Sequence, residues 1–209
     1  MARYDLIKNK PLYSSFMNCE KDAEKILEAL FVKTKPYSDI LKRLLIINNP
    51  DCLDKDNEDY QKLIDSKTLR DLIKEGYVRL NPKIPRKEHE NIKSYLLISF
   101  NNFSMNKTSA EFRDCQIDFD VICYLDAWCL DEYMIRPLKI CGCIDGILNS
   151  ITDENKAYLT GGGNNIKLSG IGEYKFITCN QVILNEDLSM YSLSYKGTYF
   201  SEDSVKLND

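Results

Sequence analysis

Between Cys115 and Ile151 the hydrophobic period of the chain changes, and that change limits what it can fold into. In CQIDFDVICYL the apolar residues alternate: Ile117, Phe119, Val121 and Cys123 fall on one side, Asp118 and Asp120 on the other. A period of two belongs to a strand with one side buried and the other meeting water or a partner. Beyond DAWCLDEYMIRP, residues Ile140, Ile144, Ile147, Leu148 and Ile151 return at three- and four-residue steps. That spacing predicts a helix over 137–151, opened by Pro137, whose fixed φ and missing N–H suit the first turn. A half-buried strand followed by a helix with one apolar stripe has to bring the two surfaces together.

The flanking segments extend this α+β reading. Ala23, Ile26, Leu27, Leu30 and Phe31 share a helical face behind Asn18 as a candidate cap, and Tyr37, Ile40, Leu41, Leu44 and Leu45 repeat the pattern after Pro36. NNPDCLDKDNED then reads as turn. A third helix is expected from Ser66 as N-cap, through Leu69, Leu72 and Ile73, to Gly76 as the left-handed C-terminal residue. YVRL and SYLLISF read as strands around a connection that Pro82 and Pro85 keep out of helix and central strand. NNFSMNKTSAEFRD reads as an exposed loop or hairpin tip, TGGGNN as a turn, and the stretch from Ile166 to Phe200 as two or three strands. The expected organisation is a helical region over 1–76, a sheet domain over 77–200 with a small mixed or antiparallel sheet under the 137–151 helix, and a polar tail over 201–209.

With 44% hydrophobic residues in 209, the chain can bury one core of moderate size. No apolar run is long enough for a bilayer span and the N-terminal residues lack a signal-peptide pattern, so a soluble, unsecreted protein with no membrane partner is expected. Eight cysteines, at 19, 52, 115, 123, 129, 141, 143 and 179, mostly interrupt apolar patterns, which is the habit of buried free thiols. Cys141 and Cys143 are the only close pair, and two residues apart on a helix they diverge by about 200°; no metal site is expected. Residues 1 to 100 hold 19 lysines and arginines against 16 acids, whereas residues 101 to 209 hold 9 against 16. An acidic second half argues against a broad phosphate-binding surface there. The basic residues Lys83, Arg86, Lys87 and Lys93 read first as a solvated loop, with contact to nucleic acid or an acidic neighbouring protein as the alternative.

No residue set converges on a catalytic chemistry, so the chain is expected not to be an enzyme and to need no cofactor. His89 is the sole histidine and sits in the polar run RKEHEN, a poor setting for a triad. TGGGNN precedes a strand rather than a helix, the reverse of a phosphate cradle. The alternative reading is a magnesium-dependent nuclease on Asp120, Glu173 and Lys175, an acid and an E-x-K pair on strands. Trp128, the one tryptophan, either anchors the strand-to-helix connection in the core or stands at a subunit interface, where it is a candidate contact residue. Tyr191, Tyr195 and Tyr199 share one face of the last strand, either as half-buried core or as a contact surface.

From Ser94 to Tyr199 the order strand, loop, strand, helix, strand, strand, with QIDFDVICYLDAW, IRPLKICGCIDGILN and EYKFITC…LSMYSLSYKG, resembles the neck and tail-terminator (head-tail connector) proteins of tailed bacteriophages. The resemblance implies a structural virion subunit, assembled in the host cytoplasm. It would form a homo-oligomeric ring against portal, connector or tail proteins, with DNA passing through the lumen without specific binding. The helical first third departs from the compact form of that family.

Overall fold

The computed structural model describes residues 15–33, 37–80, 93–107, 112–149, 151–152, 157–158 and 175–200. The first amphipathic pattern forms α1 (Ser15–Glu28) and runs on through a π-helical turn, Ala29–Lys33, that buries Ala29, Leu30 and Phe31. Asn18 lies inside α1 rather than capping it. The second pattern is α2 (Tyr37–Ile46), with Leu41, Leu44 and Leu45 buried.

The polar run after α2 holds a helix that hydrophobic periodicity does not reveal. Asn57 caps α3 (Glu58–Ser66) by accepting from the backbone of Asp59 and Tyr60, and Glu58 and Asp59 place negative charge in the first turn. Ser66 therefore ends a helix instead of starting one. The start of α4 (Leu69–Lys74) belongs to Thr68, which forms a reciprocal capping box with Asp71. Gly76 does take the left-handed conformation, at φ 81°.

The sheet contains β1 (Val78–Arg79), β2 (Ser94–Met105), β3 (Phe112–Tyr124), β6 (Lys175–Ile183) and β7 (Leu188–Phe200), in the order β1-β2-β3-β7-β6. Among the described strands only β1 and β2 run parallel. Between β3 and β6 in sequence come α5 (Arg136–Asn149) and a small separate hairpin of β4 (Ile151–Thr152) and β5 (Ala157–Tyr158). Ile151 thus leaves the helix and pairs with Tyr158. Asn101 to Met105 extend β2 into the stretch expected as a loop or hairpin tip, of which 108–111 lie outside the described residues; Asn102, at φ 51°, sits where the β2–β3 register shifts.

One buried cluster joins Leu30, Phe31, Leu41 and Leu44 of the N-terminal helices, Ile140, Ile144 and Ile147 of α5, and Leu96, Ile98, Phe119, Val121 and Leu193 of the sheet. The helical first third and the sheet therefore share a core. Tyr195, fully buried, donates its hydroxyl to Asp145 of α5 and meets Phe119 and Phe176 edge-on at 6.0 and 6.1 Å. Tyr195 is thus core, and its neighbour Tyr191 is half-buried against Trp128, with ring centroids 6.0 Å apart.

Arg136 ties the layers together. It is fully buried, and its guanidinium donates to the carbonyls of Ala127, Leu44 (2.8 Å), Ile47 (2.6 Å), Asn48 (2.8 Å) and Asn49 (2.8 Å). Four of those carbonyls lie at or just beyond the end of α2, where helix geometry leaves acceptors without backbone donors and the macrodipole favours a cation. A buried charge without a carboxylate is tolerable when its donors are matched in this way.

Candidate functional site

The sheet face turned away from the helices carries an organised polar network among the described residues. Alternation along β3 places Asp114, Gln116, Asp118 and Asp120 there, and pairing sets them opposite Thr198, Lys196, Ser194 and Ser192 of β7. β2 adds Ser99 and Asn101 across from Asp118 and Gln116. Asp118 accepts from the Asn101 amide (2.8 Å), the Gln116 amide (2.7 Å) and the Ser194 hydroxyl (2.5 Å). Asp114 accepts from Asn106 and Thr198 and forms an ion pair with Lys196 at 2.6 Å. Ser192 donates to Asp120 at 2.6 Å.

The two end carboxylates titrate in opposite directions. Burial pushes Asp114 up, but the hydrogen bonds from Lys196, Asn106 and Thr198 outweigh it and hold the carboxyl below its ordinary range. Burial also pushes Asp120 up, the Ser192 hydrogen bond opposes it only in part, and the charge of Asp118 adds to the rise. At the hairpin end a pocket of about 350 Å³ opens beside Asn102, Asn106, Asp114, Gln116, Ile177 and Lys196. At the other end the same face carries an apolar cluster of Tyr95, Leu97, Ile122, Tyr124 and Leu188 with Met190 against it.

Of the nuclease set, Asp120 and Lys175 stand apart on the sheet. Two strand spacings and four residues of rise separate Asp120 from Lys175 at the backbone, about 16 Å in all. Glu173 lies outside the described residues, as do His89, TGGGNN and the basic residues 83, 86 and 87. Among the described residues no group of three or more His, Cys, Asp or Glu is placed to hold a metal ion. Lys93 reaches over the Tyr77 ring at 5.0 Å and donates to the Glu75 carbonyl. The thiols are free, and burial raises Cys123 and Cys143 to about 11, leaving them protonated near neutrality and poor as ligands or nucleophiles. Cys129 is the exposed one.

Of the four interface candidates, Trp128 and Tyr191 form one half-buried pair, Tyr195 packs inside, and the side chain of Tyr199 lies outside the described residues. A second surface escapes sequence reasoning. Among the described residues β6 is the last strand of the sheet, and along it and the following turn Phe176, Ile177, Val182, Ile183 and Leu184 are exposed, Ile183 at 79%. KFITCNQVI reads as a strand, but periodicity does not say that a strand lies at an edge.

A model of the YomW family matches residues 38–197, from α2 through the sheet to β7. The chain belongs to the YomW family. That family is phage-associated, in keeping with a phage-encoded protein. No curated protein and no solved structure matches the chain. The matched span of this YomW-family chain includes the polar sheet face apart from Thr198, the β6 edge and Arg136. Among the described residues no helix is long and apolar enough to cross a membrane.

Proposed function

We propose that this YomW-family protein is a non-catalytic structural subunit of a tailed phage. In this reading it closes into a ring with copies of itself in the neck, as tail terminator or another head-to-tail connector, beside portal or tail proteins. The observation that carries the reading is the β6 edge, a nine-residue strand with β7 on one side, no strand on the other among the described residues, and large apolar side chains in solvent. Open backbone donors and acceptors flanked by apolar groups are suited to adding another chain, not to a reaction.

The polar sheet face supports the same reading. Its carboxylates are engaged by neighbouring amides and hydroxyls, and Lys196 is held by Asp114. Such a wall gives phosphates little to bind, which suits a lumen through which DNA must move. The virion, after assembly in the host cytoplasm, is the expected location.

Cryo-electron microscopy of particles tests the proposal. The expected result is a ring of identical copies around the DNA channel with β6 inside a subunit contact. Absence of the chain from particles, or magnesium-dependent DNA cleavage abolished by Glu173→Gln, overturns it.

A further inference from the structure

We propose that two free copies of this chain pair through β6, antiparallel about a two-fold axis near Asn180, before either enters a larger assembly. This rests on the assembly reading only in taking β6 as a contact strand. The first argument is that the edge lacks protection among the described residues. Natural edge strands are guarded by charges, prolines or bulges. Here Lys175 and the register shift between Phe176 and Thr178 guard the first third, whereas Thr178 to Ile183 carries no charge, proline or bulge.

The second argument is self-complementarity, which a two-fold contact demands because the same patch must serve on both sides. Phe176 and Ile177 lie at one end of β6, Val182 and Ile183 at the other with Leu184 just beyond it, and Thr178, Cys179, Asn180 and Gln181 between. Antiparallel pairing about the middle sets each apolar end against the opposite apolar end and polar centre against polar centre. It also carries Lys175 of each copy to the turn of the other, where Glu186 and Asp187 are exposed.

The third argument is size. The five apolar side chains, 39–79% exposed, and the backbone edge offer roughly 500–600 Å² per copy, so a pair buries about 1,000–1,200 Å², the low end for specific association. A modest contact fits a pair that must later part, because a ring with a head side and a tail side is built from head-to-tail contacts that a two-fold pair does not supply.

Light scattering on the full-length chain at about 50 µM, above the micromolar Kd expected of a contact this small, should give twice the 24.2 kDa chain mass. Ile183→Lys changes a side chain already in solvent, so the fold should survive while Kd rises about tenfold or more. Glu186→Lys should weaken the pair by setting two cations together, and adding Lys175→Glu should restore it. A monomer at that concentration, an Ile183→Lys variant that pairs as tightly as the parent, or a charge exchange without rescue overturns the proposal. These readouts concern the free protein, so they fail or succeed apart from the ring, which is read on particles.

Discussion

Replacing Arg136 should be the most damaging single change outside the hydrophobic core. Arg136→Met keeps the bulk of the side chain but removes all five donors, leaving the carbonyls of Ala127, Leu44 and Ile47 in the interior without them. The bonds to Asn48 and Asn49 lie nearer solvent, where water can replace the lost nitrogens. A buried acceptor left unmatched costs about 1–3 kcal/mol, so three of them, offset by the relief of no longer burying a charge, give a loss of about 3–5 kcal/mol. Arg136→Lys keeps the charge but offers one nitrogen, which does not span from Ala127 to the end of α2, and should cost about 2–3 kcal/mol. Urea unfolding followed by far-UV circular dichroism measures both, with a lower midpoint and an unchanged slope. If Arg136→Met stays within about 1 kcal/mol of the parent, the carbonyls find other donors and the cage is not what holds α2 to the sheet.

Two further changes probe other layers. Ile144→Ala in α5 removes a fully buried side chain from the shared core and should cost about 2–4 kcal/mol in the same urea assay; a loss under about 0.5 kcal/mol means the helix stripe is not core. Asp114→Asn addresses the polar face. The carboxyl is held below its ordinary value of 3.8 in the fold, so its contribution is present above that value and lost as pH falls through the folded value. The parent should therefore exceed the variant by about 1–2 kcal/mol at pH 7, with the gap closing below about pH 4, and a gap independent of pH contradicts the assignment.

What the sequence made legible was whatever depends on short-range periodicity. Ile117, Phe119, Val121 and Cys123, and Ile140, Ile144, Ile147 and Leu148, face the core as their spacing requires, because one buried side imposes its period on local sequence. Gly76 was legible because one backbone conformation favours one residue type. α3 was hidden because its start is made by capping chemistry, and Asn57, Glu58 and Asp59 look like a turn when only apolar residues are counted. Asn101 to Met105 were hidden because their strand pairs along a polar face, where side chains satisfy each other and no alternation appears. Arg136 and β6 were hidden for a non-local reason. The acceptors of the arginine come mostly from residues 44 to 49, and the place of β6 at the edge follows from the order of strands in the sheet, which no window of sequence contains.

The position of β7 has a kinetic consequence. It follows β6 in the chain yet inserts between β6 and β3, and the pairing of Phe119 with Leu193 closes a loop of about 70 residues. The β2–β3 hairpin can form as soon as both strands exist, whereas β3 waits for its other neighbour. Contacts so distant in sequence slow folding toward the millisecond-to-second range of sheet proteins. Throughout that interval β3 offers Ile117, Phe119 and Val121 on a strand with one side vacant. Foreign strands compete for that vacancy in proportion to their concentration, so the yield of native protein from refolding should rise on dilution.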